Sequence, residues 1–263
     1  MWVGLATGDP RHHLRRTPVT TRRPERVKRI VVLTGAGISQ ESGLETFRDA
    51  NGLWAHHRIE DVCTPEALAR DPALVHRFYN LRRAQLRDVA PNAAHQALAE
   101  LQAASRAGTW AGTVTIITQN VDDLHERAGS TDVIHMHGRL NSMRCTACEA
   151  RHETTGDTTP ATPCPSCGRP ALRPDIVFFG EIPLHMEAIT AALTTCDLFV
   201  AIGTSGQVYP AAAFVDLVGD AQTLDINIAP SEISTRFDET RLGAAGTLVP
   251  RLVRALMEAQ HVA

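Results

Sequence analysis

Residues 29–39 read Arg29-Ile30-Val31-Val32-Leu33-Thr34-Gly35-Ala36-Gly37-Ile38-Ser39. A continuous apolar run of this kind marks a strand buried on both faces, as in a parallel sheet. It runs straight into a glycine turn and then into a segment that can be helical. Strand, glycine turn and helix together form an arrangement in which backbone N–H groups approach a pyrophosphate. The turn departs from the Gly-x-Gly-x-x-Gly pattern because Gln40 holds the third glycine position. Taken alone, the segment therefore also fits a tight turn in any α/β protein.

Similar runs recur at Val114–Thr118, Asp197–Gly203 and Thr223–Ile228, with weaker candidates at Asp132–His135 and Thr247–Val249. Between them lie helical patterns at Pro72–Val89, Asn92–Ala104, Pro183–Thr195, Pro210–Val218 and Pro250–Gln260. The first has an Asp71 cap and a first-position proline; the second has an Asn92 cap. Buried strands alternating with helices predict an α/β fold with a doubly wound, Rossmann-type parallel sheet. Residues 141–173 break the pattern. They are poor in large apolar side chains and rich in Thr, Pro, Cys and Gly, so they need another source of cohesion. The expected organisation is a disordered basic arm over residues 1–26, a Rossmann-type domain over 27–140 and 174–263, and a zinc-binding insert over 141–173.

The chain has 263 residues, 43% hydrophobic and 21% charged, and a net charge of −3. These values exclude disorder, collagen and coiled coil as the main description. Residues 1–29 carry a net charge of +6 and the remainder −9. A basic arm can meet an acidic surface, but the acidic body argues against nucleic acid as the main partner. Neither an export signal nor a membrane-spanning run is read, so no membrane partner, a cytoplasmic location and reduced cysteines are expected.

Four of the six cysteines are paired by spacing: Cys145-x-x-Cys148, then Cys164-x-x-Cys167. Two such knuckles predict a tetrahedral four-thiolate zinc site. With all four positions filled by sulfur, the metal is structural. Cys196, beside an apolar run, is expected in the core.

Beyond the first turn come Ser42-Gly43, Phe47-Arg48 and Gly52-Leu53-Trp54. Then follow Thr118-Gln119-Asn120-Val121-Asp122-Asp123-Leu124-His125, His135-Met136-His137-Gly138, the two cysteine pairs, Phe179-Gly180-Glu181 and Gly203-Thr204-Ser205. In kind and order these blocks closely resemble the sirtuins, NAD-dependent protein lysine deacylases. The branch it most resembles holds the bacterial CobB-type and class III enzymes. The resemblance implies NAD and one structural zinc as cofactors. It implies acyl-lysine proteins or peptides, bound as an extended strand, as partners. The products would be nicotinamide, O-acyl-ADP-ribose and free lysine.

Residue roles follow from the same resemblance. His137, directly before glycine, is the expected general base, and Asn120 acts beside it on the ribose. Gly35, Ala36, Gly37, Phe47, Arg48, Gln119, Asp122, Gly203, Ser205, Asn227 and Ala245 are expected to bind NAD. Val177, Phe179, Gly180 and Val208 are expected along the substrate. Tyr79 and Arg82 stand three apart on one helical face, where the class III pattern binds the carboxylate of succinyl or malonyl lysine. Arg83 and Arg87 read as a solvated face of the same helix. Cys63 replaces an alanine of the related sequences and narrows the acyl pocket, leaving the acetyl-versus-succinyl balance open. An ordinary NAD dehydrogenase, a protein ADP-ribosyltransferase and a zinc-ribbon nucleic-acid binder are the competing readings.

Overall fold

In the computed structural model, which describes residues 27–44 and 57–260, the run at residues 29–34 forms strand β1 (Arg29–Thr34). The proposed arm, Phe47 and Arg48 lie outside the described residues. The chain continues through α1 (Ala36–Ser39), α2 (Ile59–Val62), α3 (Pro65–Arg70), α4 (Pro72–Arg87), α5 (Ala93–Ala107) and β2 (Thr113–Thr118). Next come α6 (Leu124–Arg127), β3 (Ile134–His135), β4 (Gly138–Cys145), β5 (Arg151–Glu153) and β6 (Leu172–Ile176). Last are α7 (Met186–Thr195), β7 (Leu198–Ile202), β8 (Gln222–Asn227), β9 (Glu239–Leu242) and α8 (Ala245–Gln260).

Six strands form one parallel sheet in the order β3-β2-β1-β7-β8-β9. This is the doubly wound Rossmann order, in which the order of the strands reverses between β1 and β7. The alternation of each strand explains the two cores. Ile30, Val32, Ile116, Val200 and Ile226 face α5 and α8, packing on Leu98, Leu101, Val249 and Leu252. Val31, Leu33, Ile117 and Phe199 face the other way, onto Ile189 and Leu193 of α7 and onto Phe214. Strands buried on both faces carry no polar side, which is why they read as continuous apolar runs.

Several expected boundaries move. Thr247–Val249 is not a strand; it lies inside α8, which begins five residues before Pro250 and continues through it. Leu248, Val249, Leu252, Val253 and Leu256 fall at helical spacing against the first core, and that burial outweighs the local β-preference of the segment. The last strand is instead Glu239–Leu242, a short edge strand of mixed polarity that no apolar run announces. Residues 211–216 form a 3₁₀ helix rather than an α-helix, and α7 starts at Met186, three residues after Pro183.

A second, antiparallel sheet has the order β5-β4-β6. Its own buried apolar cluster is only Met143, Cys145, Cys164 and Leu172. The four predicted ligand sulfurs lie within 4.8 Å of one another, with Cys145–Cys167 at 3.7 Å and Cys148–Cys164 at 3.8 Å. A tetrahedron with Zn–S of about 2.3 Å has an edge of about 3.8 Å, so the residues fit zinc. The Ala147 N–H donates to Cys145 Sγ at 3.4 Å, which suits a thiolate. Among the described residues, no helix is long and apolar enough to cross a membrane.

Two predictions follow from this packing. Purified protein should hold one zinc per chain. Cys148→Ala should lose the metal together with amide-exchange protection in β4–β6, while β1 and β2 keep theirs; retained protection in β4–β6 would separate the sheet from the metal. Zinc binding at such sites is worth about 10–16 kcal/mol, far more than four buried side chains provide. The second concerns His95, fully buried in α5 and pushed down to about 4 by that burial. The unfolded chain takes up this proton first, so stability falls as pH drops from 6.5 toward 4. Denaturant titrations at pH 7 and pH 5 should differ by about 2 kcal/mol from this group, and the difference should shrink by that amount in His95→Gln.

Candidate active site

A cavity of about 760 Å³ opens at the carboxyl ends of the parallel strands, around the β1/β7 reversal. Doubly wound sheets bind ligands at this place because loops there diverge to opposite faces. The expected residues Gly35, Ala36, Gly37, Gln119, Asn120, Asp122, His137, Gly203, Ser205 and Asn227 all line it. So do Cys63, Tyr79, Arg82, Val177, Phe179, Gly180 and Val208. Ala245 lines a small adjoining cleft of about 30 Å³ with Gly37, Gln40 and Asn227.

The glycines serve differently from the sequence expectation. The Gly35 N–H donates to Ile202 O at 3.0 Å, and the Gly37 N–H to Gly203 O at 2.9 Å. Both amides are thus spent on β7 and its turn rather than left for a pyrophosphate. A Cβ on Gly35 would lie 2.8 Å from Gly203 O, and one on Gly37 would lie 2.7 Å from Gly203 Cα. Gly203 itself has φ +64, and a Cβ there would meet Ile38 N at 2.5 Å. The three glycines let two turns touch at the floor of the cavity, which leaves the space above them for a cofactor. That space is lined by Gln119, Asn120, Asp122, Ser205 and Asn227, polar side chains whose chemistry fits NAD.

A buried polar chain crosses this floor. Asn120 Nδ2 donates to Gly35 O at 3.2 Å and to Ser39 Oγ at 3.0 Å. Ser39 Oγ donates onward to Asp122 Oδ2 at 3.1 Å, and the Leu124 N–H reaches Asp122 Oδ1 at 3.1 Å. Burial pushes the Asp122 carboxyl up, and the bonds from Leu124 and Ser39 oppose it. Ser39 was visible in the first motif, but its place between two expected ligands was not. Asn227 is fixed by its own bond to Thr204 O at 2.7 Å.

The two histidines of the His-Met-His block separate cleanly. His135 Nε2 lies 2.6 Å from Glu126 Oε1, and the side chain is buried away from the cavity. His137 Nδ1 lies 3.0 Å from Gln119 O. A carbonyl only accepts, so Nδ1 carries the proton and Nε2 carries the lone pair. Burial holds the His137 imidazole below its ordinary value, partly offset by that bond. The ring is therefore neutral at pH 7, with a free basic nitrogen.

Tyr79 is fully buried, and its hydroxyl donates to Cys63 Sγ at 3.3 Å. Burial pushes both the Tyr79 hydroxyl and the Cys63 thiol up, so each keeps its proton. Cys63 thus occupies the Tyr79 donor as well as filling space. Arg82, on the same face, lines the cavity beside them, its pKa lowered by burial and supported by Tyr79 and Cys63. The Phe179 N–H closes the wall on Cys63 O at 2.9 Å.

Two arginines depart from the sequence expectation. Arg83 is not solvated; only 3% of it is exposed, and it bonds to Leu140 O and Thr158 Oγ1. Arg87 remains exposed and touches Thr155 O at 3.3 Å. Arg173, absent from the sequence reading, holds Glu181 with two bonds at 2.6 and 3.0 Å. Its guanidinium also lies 4.1 Å above the Phe178 ring, which stacks on Tyr79 at 6.0 Å. Burial alone would raise the Glu181 carboxyl, but Arg173 and the Phe178 N–H hold it below its ordinary value. A charge pair eight residues apart across a turn has no periodicity to betray it.

Comparison with known proteins agrees with this fold. The pattern of the Sir2 family matches residues 35–210. An NAD-dependent protein deacylase of Bdellovibrio bacteriovorus is 56% identical over 234 residues, spanning 88% of this chain and 97% of that protein. One from Escherichia coli K12 is 51% identical over 235 residues, 88% of this chain and 82% of that protein. A solved Sir2 homolog–NAD complex superposes with a TM-score of 0.81 at 38% identity, covering 90% of this chain and 93% of that one. A strand order that reverses at β1/β7, a cavity there lined by His137, Asn120 and Asp122, and relatives more than half identical lead to one conclusion: the chain belongs to the Sir2 family.

Proposed function

We propose that this chain is an NAD-dependent protein lysine deacylase whose acyl pocket accepts acidic as well as neutral acyl groups. The observation that carries the reading is His137. Its Nδ1–H is committed to the Gln119 carbonyl, and its unprotonated Nε2 belongs to the same cavity as Asn120, Asp122, Tyr79 and Arg82.

Bound NAD supplies a ribose carbon that carries nicotinamide as leaving group. The chain's residues do the rest. Asn120 and Asp122, locked through Ser39, present fixed polar atoms to the nicotinamide and ribose end. His137 Nε2 accepts a proton from a ribose hydroxyl, and the resulting imidazolium is stabilised by Gln119 O at Nδ1. The touching turns at Gly35, Gly37 and Gly203 shape the floor under the dinucleotide. Phe179, Gly180, Val177 and Val208 offer main chain to an acyl-lysine peptide lying as an extended strand, a mode that reads backbone more than side chains. Arg82 meets a succinyl or malonyl carboxylate, since an unpaired buried charge would be costly. Phe47 and Arg48 belong to this reading through the sequence resemblance alone. Mass spectrometry of acetyl- and succinyl-lysine peptides incubated with enzyme and NAD tests it. NAD-dependent loss of the acyl mass is expected, and no loss from either peptide would refute it.

His137→Ala should fold normally and lose about 10²–10⁴-fold in kcat. In the unmutated enzyme, the acid limb of the pH–rate profile should have its midpoint below 6.5, because burial favours the neutral imidazole. A limb centred above 7, or near-full activity in the variant, would move the base elsewhere.

Arg82→Met keeps much of the volume and removes the charge. It should raise the KM for a succinyl peptide at least about tenfold, since charge-assisted bonds contribute about 1.5–3 kcal/mol. Acetyl-peptide KM should change little. Equal losses on both peptides would make Arg82 structural.

A further inference from the structure

Helix α4 carries two neighbouring stripes. Tyr79, Arg82 and Leu86 line the cavity. His76, Asn80, Arg83 and Arg87 recur at the same helical spacing, one residue further round in three of the four cases. Every member of this second stripe bonds to the segment 155–158 between β5 and β6, within the zinc-bearing sheet's connections.

Thr158 is the centre of that contact and is 5% exposed. Its backbone pairs with one side-chain amide: Asn80 Nδ2 donates to Thr158 O at 2.9 Å, and the Thr158 N–H donates to Asn80 Oδ1 at 3.0 Å. Its hydroxyl lies 2.9 Å from His76 Nδ1 and 3.2 Å from Arg83 NH2. His76 Nε2 faces Leu172 O at 3.1 Å and must donate to it, so Nδ1 accepts from the Thr158 hydroxyl. The same oxygen then accepts from Arg83. Arg83 also reaches Leu140 O of β4, and Arg87 reaches Thr155 O. Those of His76, Asn80 and Arg83 are buried or part-buried, directional bonds on the stripe next to the one that carries Arg82. The segment they grip belongs to a sheet whose own core is four residues and a metal site.

We propose that Thr158 seats helix α4 through His76, Asn80 and Arg83, and that this seat sets the placement of Arg82 and so the preference for acidic acyl groups. These four are positioning residues; none lines the cavity. The inference rests on the acyl-pocket reading of Arg82. A shift of the helix by a fraction of an ångström misaligns a two-bond guanidinium–carboxylate contact, while an acetyl group, which needs no such contact, is indifferent.

Thr158→Val has nearly the shape of threonine and removes both the donor and the acceptor. In the zinc-loaded enzyme it should raise the KM for a succinyl-lysine peptide about five- to tenfold, the size of one weakened charge-assisted bond. The KM values for acetyl-lysine peptide and for NAD should stay within about twofold, with one zinc per chain retained. Thr158→Ser restores the hydroxyl and should restore the KM. Asn80→Ala, which cuts the seat from the helix side, should reproduce the selective loss. The inference is overturned if Thr158→Val and Asn80→Ala leave succinyl KM unchanged, or raise both peptide KM values equally, while Arg82→Met still discriminates. If Arg82→Met does not discriminate either, the acyl-pocket reading fails first and takes this inference with it.

Discussion

The contact between two glycine turns governs the molecule. β1 and β7 lie side by side at the point where the sheet reverses, and their outgoing turns would normally diverge. Here they touch, because Gly35 and Gly37 face Gly203 with no Cβ between them. Ile202 O and Gly203 O take the turn amides. That junction fixes where Ser39 stands, Ser39 fixes Asn120 and Asp122, and the cavity above acquires a rigid polar floor. An alanine at any of the three positions would have to push two backbones apart.

Around that floor, burial decides protonation. It keeps His137 neutral and Tyr79 and Cys63 protonated, so the site presents one base and committed donors at neutral pH. The turn at 178–181 keeps a charge by pairing it. Arg173 and Glu181 form a two-bond contact, and the Phe178 ring between that pair and Tyr79 ties the turn at 178–181 to the acyl pocket. A part-buried pair of this kind adds little net stability but specifies one conformation of the turn.

The amino-acid sequence discloses what local pattern can encode. Four apolar runs are four central strands, and two cysteine knuckles are one four-sulfur cluster. The block Gln119 to Asp122 and the His137-Gly138 pair lie where they were expected, at the ends of β2 and β3. What it conceals depends on partners distant in the chain. Arg83 and Arg87 look alike on a helical wheel, yet one is buried because Thr158 and Leu140 come to meet it. Glu239–Leu242 is too short and polar to announce a strand; it is one because β8 offers an edge. Thr247–Val249 reads as β by local preference and is helical because α5 and the sheet need an apolar stripe there. The two glycines signal a turn, but their real neighbour, Gly203, lies far along the chain.

The central strand pair also has a consequence for how the chain is made. β1 and β7 are separated by 168 residues, as the Arg29–Asp197 contact measures. At ribosomal speeds of about 5–20 residues per second, β7 appears roughly ten to thirty seconds after β1. During that interval β1 can pair with β2 on one side only, and its other edge, in a strand whose core is four consecutive apolar residues, stands open. The cofactor floor cannot exist until that edge is closed. The zinc-bearing sheet is translated within this window, so metal capture can precede completion of the nucleotide fold, and the nascent chain meets the chaperones of the cell with a finished small module and an unfinished large one.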